Sequence, residues 1–138
     1  MELKDYSETT QKFFIEFMLS SDEAYARCQN ILMPAYFDSK FRSVIKYMQE
    51  HSQSYNTVPT IKQVESQTGH NFEHLDNIRS QDVDWFLDSI EQFCRHKALE
   101  NAIFAAPDKL EKKNYGDVER EIKNAVLISL QKELGTDY

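Results

Sequence analysis

The chain has 138 residues, of which 41% are hydrophobic, with only three glycines and three prolines. So few turn-forming residues exclude the many tight turns of sandwiches and barrels, and the abundance of helix formers predicts an all-α protein. The net charge is −7. Binding to the nucleic-acid backbone requires a basic surface, so this negative net charge disfavours direct DNA binding as the main function.

The N-terminal segment predicts three helices that share one core. Ser7 is positioned to cap the first helix, whose residues 12–19 are almost continuously apolar. Ser21 and Asp22 start a second helix over 22–32, and Pro34 is expected to stop it because a proline disfavours helical geometry in the preceding residue. Asp38 and Ser39 start a third helix over 40–51. Its buried stripe has helical spacing and consists of Phe41, Val44, Ile45 and Met48.

Residues 52–81 predict a loop, a short helix and a further helical turn. The segment from Val58 to Thr60 starts a helix over 61–68, and Gly69 is expected to end it. The spacing of Phe72, Leu75 and Ile78 then suggests one more short helix.

The C-terminal part predicts a long antiparallel helical hairpin. Its first helix covers 82–106 and is followed by Pro107, a charged turn over 108–116 and a second helix over 118–134. We therefore expect a compact helical subdomain at 1–80, the hairpin at 81–134 and the start of a linker at 135–138.

This hairpin carries more apolar surface than its two helices can hide against each other. On each helix, one apolar stripe packs against the other helix of the hairpin. Further apolar stripes remain, and Trp85, Leu99 and Ile103 lie on another side of the first helix. The surplus either packs on the compact part or forms a self-association surface. The candidate self-association residues are Phe86, Phe93, Phe104, Leu127, Leu130 and Leu134.

Few residues suggest chemistry. The sequence lacks the usual phosphate-loop, dinucleotide, serine-hydrolase and HExxH motifs, so we expect no catalysis and no cofactor in this chain. His70 and His74 have a metal-compatible spacing without a second ligand pair, and surface histidines are the better interpretation. Lys109, Lys112 and Lys113 form a small basic cluster at the hairpin tip, either a solvated turn or a partner-binding site.

Cys28 and Cys94 lie far apart and follow no metal spacing, which favours free, buried thiols in a reducing compartment. No apolar run approaches about 18 residues and the N-terminus has no signal-peptide pattern. We therefore expect a soluble, intracellular protein with no membrane association.

A series of weak motifs resembles the N-terminal domain of DnaB-type replicative DNA helicases, those of large tailed bacteriophages in particular. The resemblance starts with a leucine–x–proline–x–x–phenylalanine segment, here Leu32, Pro34 and Phe37, and a helix running from Phe41 to Met48. A proline with a short helix at 58–69 and the long hairpin follow in the same order. The family's glycine-rich stretch before the hairpin is missing.

The resemblance implies an assembly role in the cytoplasm of a bacterial host. In the family, hairpins pair into dimers, and three dimers form a collar above a hexameric ATPase ring that binds ATP and Mg²⁺. The collar offers a platform for primase and, in some systems, a helicase loader, with little DNA binding of its own. The ending LGTDY resembles the start of the linker to the motor domain, which would lie beyond this chain.

Two other functions fit parts of the pattern. A stand-alone helical adaptor or inhibitor that binds another protein would share the helices and the apolar hairpin. A DNA-binding regulator would use 60–78 as a helix-turn-helix, but that segment lacks a basic recognition helix.

Overall fold

The computed structural model describes residues 6–130, and in this range the chain forms α-helices and no strand. The all-α prediction is confirmed. Six helices follow one another along the chain: α1 (Glu8–Ser20), α2 (Asp22–Cys28), α3 (Ser39–Tyr55), α4 (Ile61–Thr68), α5 (Ser80–Glu111) and α6 (Tyr115–Val126).

The first two helices start where the sequence predicts. The Ser7 hydroxyl accepts from the Thr10 N–H, and the Ser21 hydroxyl accepts from the Ala24 N–H. The second helix ends at Cys28 and not at residue 32, because two 3₁₀ turns, Gln29–Ile31 and Pro34–Tyr36, replace its last turn. These turns direct Phe37 into the core, where it is almost fully buried.

Helix α3 is longer than predicted, and its buried stripe is confirmed. All four stripe residues are 2% exposed or less. Asp38 occupies the predicted cap position, but its carboxylate makes no cap hydrogen bond. It accepts instead from the buried Gln11 amide at 3.2 Å, and the Asp38 N–H donates to the Gln11 Oε1 at 2.8 Å. Gln11 therefore joins α1 to the start of α3.

Helix α4 has the predicted bounds, with a reciprocal capping box between Thr60 and Gln63 and Gly69 in the left-handed conformation. The short helix expected after it is absent. Residues 69–79 are irregular and are held on α1 by its side chains. Glu16 accepts the Glu73 N–H at 2.8 Å, and the Ser20 hydroxyl accepts the Leu75 N–H at 2.9 Å. The helix-turn-helix interpretation fails, since no recognition helix follows α4.

The two last helices differ from the prediction at all four ends, by only two residues at the start of α5. Helix α5 does not stop before Pro107 but continues through it to Glu111, giving 32 residues. Helix α6 starts at Tyr115 and ends at Val126, eight residues before the predicted end at 134. The last described residues, 127–130, run back along α5 without helical structure.

The predicted boundary at 80/81 does not separate two packing units. Val83, Phe86, Ile90 and Phe93 of α5 belong to the same continuous core as α1, α2, α3 and α4. The first half of α5 is thus the central helix of the compact part, and only its second half pairs with α6.

Candidate interaction surface

The predicted self-association residues Phe86 and Phe93 lie in the core of a single chain. Both are 0% exposed. Phe86 stacks on Phe17 with ring centroids 4.6 Å apart, and Phe93 contacts Phe14 and Phe37 at 5.5 and 4.9 Å. Their assignment to a surface is wrong, because the aromatic side chains of α1 cover this side of α5 completely.

Beyond residue 94, small side chains bring α5 and α6 together. Ala102 and Ala125 are both buried, although neither belongs to the main core. Polar contacts fix the pair at both ends: Lys109 forms an ion pair with Glu121, and the Arg95 guanidinium donates to the Ile128 carbonyl at 2.7 Å. The two helices are therefore antiparallel and pack closely against each other.

The outer side of this pair presents an apolar surface, which we call the back face. It consists of Leu99, Ile103 and Leu110 of α5 with Tyr115, Ile122 and Val126 of α6. At about 100° per residue, the three residues of each helix fall within a narrow arc of its surface. Ile103, Leu110, Tyr115 and Val126 are 58%, 49%, 60% and 54% exposed.

Contacts on the opposite side show that both arcs point away from the compact part. The Asn101 amide donates to the Ala35 carbonyl at 3.4 Å, and Asn124 lines a groove with Met33 and Tyr36. The back-face residues lie about half a turn away from these asparagines on each helix. The back face is therefore one surface across two helices, and the rest of the described chain does not cover it.

The remaining predicted self-association residues do not form a patch. Phe104 is 74% exposed, but it lies on the side of α5 turned away from α6. Leu127 is 64% exposed and lines the groove with Met33. Leu130 is half-buried against the core, and its N–H donates to Glu91 at 2.8 Å. Leu134 lies outside the described residues.

The predicted basic cluster is split by the turn between the two helices. Lys109 is engaged by Glu121 inside the α5–α6 pair. Lys112 and Lys113 are exposed at the tip, Lys112 with a solvated ion pair to Asp108 at 3.4 Å. Lys113 has a positive φ of 63°, and its N–H donates to the Leu110 carbonyl at 3.0 Å. The tip thus has a defined shape and presents two lysines.

A second surface feature is an open cleft of about 810 Å³ beside the end of α3. Tyr47, His51 and Tyr55 form a ladder along one wall, with ring centroids 5.9 and 4.7 Å apart. Val58, Pro59 and Ile61 form part of the opposite wall. The cleft is shallow and its lining is mixed, so the back face is the better-defined surface.

The histidine and cysteine side chains behave as structural groups. His70 packs beside Phe41 and Phe72, and His74 pairs with Asp76 at 3.1 Å, so they do not face a common ligand. Within residues 6–130 no cluster of His, Cys, Asp and Glu is arranged to hold a metal ion. Cys28 and Cys94 are free and buried as predicted, and desolvation raises the pKa of both thiols.

Comparison with protein-family models, curated proteins and solved structures finds no match to this chain. Across residues 6–130, every helix is too short or too polar to cross a membrane.

Sequence reasoning placed Ile103 and Leu99 among the surplus apolar residues but missed Leu110 and Tyr115. Both fell in a segment assigned to a charged turn, because Pro107 was expected to end the helix. The usable signal was the spacing of Leu99, Ile103 and Leu110, which continues a helical stripe past the proline.

Proposed function

We propose that this chain is an assembly domain that pairs with a second copy through its back face. The sequence resemblance extends the proposal to the N-terminal collar domain of a DnaB-type hexameric replicative helicase. In that arrangement, the compact part and the α5–α6 pair correspond to the family's globular part and its hairpin. ATP and Mg²⁺ would be bound by a separate motor domain, and primase or a loader would dock on the assembled collar.

The observation that carries the proposal is the exposure of four large apolar side chains on one surface. Contiguous apolar patches on soluble proteins mark interaction sites, and burying such a side chain completely gains about 1.5–3 kcal/mol. The back face lies across two helices that pack closely against each other. A second copy placed against it would cover these side chains.

The test is the absolute mass in solution, measured by light scattering over a concentration series. We expect a dimer or larger assembly for the wild-type chain. Ile103→Asp/Tyr115→Asp should give a monomer with an unchanged helical circular-dichroism spectrum. The matched control is Met33→Asp/Tyr55→Asp, which adds the same charges at apolar positions of similar exposure away from the back face.

A wild-type monomer at every concentration would contradict self-association and favour the alternative, a helical adaptor or inhibitor whose exposed face binds a different protein. The helicase part of the proposal has its own test in the source gene. A phosphate-loop motif in frame beyond Tyr138 would support it, and a stop codon there would overturn it.

A further inference from the structure

Neither Trp85 nor the two exposed lysines at the tip belong to the back face. Trp85 lies in the second turn of α5 and is 52% exposed. Its ring is 5.9 Å from that of Phe13, which is 6.1 Å from that of Phe17 in the core. The indole is therefore held in a fixed position at the surface by a row of aromatic rings.

Two carboxylates lie on one side of this indole, since Asp84 precedes Trp85 and Asp88 follows three residues later on the same helix. Asp84 and Asp88 are exposed and make no ion pair within residues 6–130, whereas Asp82 is engaged by Arg79. We call Phe13, Asp84, Trp85 and Asp88 the Trp85 patch. An aromatic face with adjacent carboxylates suits a lysine or arginine side chain, because the ring and the anions both attract a cation.

The same chain carries a matching cation at the other end of α5. The tip presents Lys112 and Lys113, and Lys113 makes no ion pair in the part of the chain that the structure describes. At about 1.5 Å per residue, Lys112 lies about 40 Å along the helix from Trp85. A tip cannot reach its own Trp85 patch, so only another copy can bring the two surfaces together.

We propose that the tip of one copy binds the Trp85 patch of a neighbouring copy, with Lys113 over the indole and Lys112 beside Asp84 and Asp88. The two surfaces are different, so this contact is heterologous and leaves an unused tip and an unused patch on every pair. Repetition of such a contact closes into a ring when the rotation between copies permits. The proposal rests on the self-assembly proposed above and supplies the second contact that a ring of dimers requires.

The experiment traps the contact between two differently labelled copies. Both carry Ile103→Asp/Val126→Asp, which disables the back face and leaves the charge of the tip unchanged. One copy carries Gln81→Cys, one helical turn before Trp85, and the other carries Asn114→Cys beside Lys113, so that every residue of the proposed contact is kept. A short cross-linker with two thiol-reactive groups joins these cysteines when they come close. Cys28 and Cys94 are buried and should not compete. The matched control replaces Gln81→Cys by Gln53→Cys, an exposed glutamine of α3.

We expect the Gln81/Asn114 pair of cysteines to give a cross-linked heterodimer in several-fold higher yield than the control pair. High salt should lower that yield, since the charges are exposed. Adding Trp85→Ala should lower it further, with the circular-dichroism spectrum unchanged. Equal yields in the Gln81 and Gln53 pairs would overturn the proposal.

A charge exchange provides an independent second measurement. Asp84→Lys in one copy should reduce trapping, and Lys112→Glu in the other should restore it. Failure of the exchange to restore the yield would exclude the proposed pairing of these side chains. Because the back face is disabled throughout, failure here is distinguishable from failure of the back-face dimer.

Discussion

The two halves of α5 both carry large apolar side chains, but the rest of the chain covers these side chains in one half and leaves them exposed in the other. Residues 83–94 direct all their apolar side chains except Trp85 inward, where α1 and the segment around Phe37 help to bury them. Residues 98–109 place alanines against α6 and leave Ile103 and Phe104 in water. One continuous helix is thus the centre of a core at one end and the support of an exposed surface at the other. The spacing of apolar residues in a helix therefore shows which of its faces are apolar, but not which of these faces the rest of the chain covers.

The largest difference between the two halves of α5 is expected when a phenylalanine is truncated in each of them and the loss of stability is compared. Phe93→Ala should lower the free energy of unfolding by about 3–5 kcal/mol, because it leaves a cavity among Tyr6, Phe14 and Phe37. Phe104→Ala should change it by less than about 0.5 kcal/mol, since that ring is already in water. Urea unfolding followed by circular dichroism measures both. Similar losses for the two variants would show that the halves are packed alike.

A smaller effect should distinguish the α5–α6 contact from the core. Ala102→Leu should force α6 away from α5, at a cost of about 1–3 kcal/mol that falls mainly on α6. Hydrogen exchange should speed up across 115–126 and stay unchanged in α1 and α3. Ala26→Leu, at an exposed alanine of α2, is the matched control. Uniform acceleration along the whole chain would mean that α6 and the core unfold as one unit.

The smallest effect concerns the start of α5. The Arg79 guanidinium and N–H donate to Asp82, which lowers the pKa of that carboxyl. The resulting stabilisation is present above the carboxyl's ordinary pKa and is lost as the pH falls through the lowered value. Arg79→Ala should raise the pKa of Asp82 toward its ordinary value in an NMR titration. Arg27→Ala, which removes a comparable exposed pair with Glu23, should leave the titration of Asp82 unchanged.

Local signals in the sequence predicted the helices whose ends they control. The caps at Ser7, Ser21 and Thr60, the glycine at 69 and the stripe of α3 all act within a few residues, so a linear reading finds them. The continuation of α5 through Pro107 was not predicted, because the contacts that stabilise it join residues that are distant in sequence. Lys109 and Glu121 pair just beyond the proline, and α6 covers that stretch of α5.

The candidate site was less predictable for the same reason. Phe86 and Phe93 have the spacing of a surplus stripe, and only the three-dimensional position of α1 shows that they are covered. The irregular segment at 69–79 depends likewise on partners 57 and 55 residues away. Its apolar residues have helical spacing, yet the N–H groups of Glu73 and Leu75 donate to side chains of α1.

That segment has a consequence for the order of folding. Closing a loop of more than fifty residues has an entropy cost that must be met before its two hydrogen bonds can form. Helices α1, α3 and α4 contain their own backbone hydrogen bonds and contact elements that are near in sequence. We therefore expect them to associate first, so that Glu16 and Ser20 are in place before the 69–79 segment binds to them. The 69–79 segment would then join late and lead the chain into α5. Its two backbone contacts would therefore slow unfolding more than they speed folding.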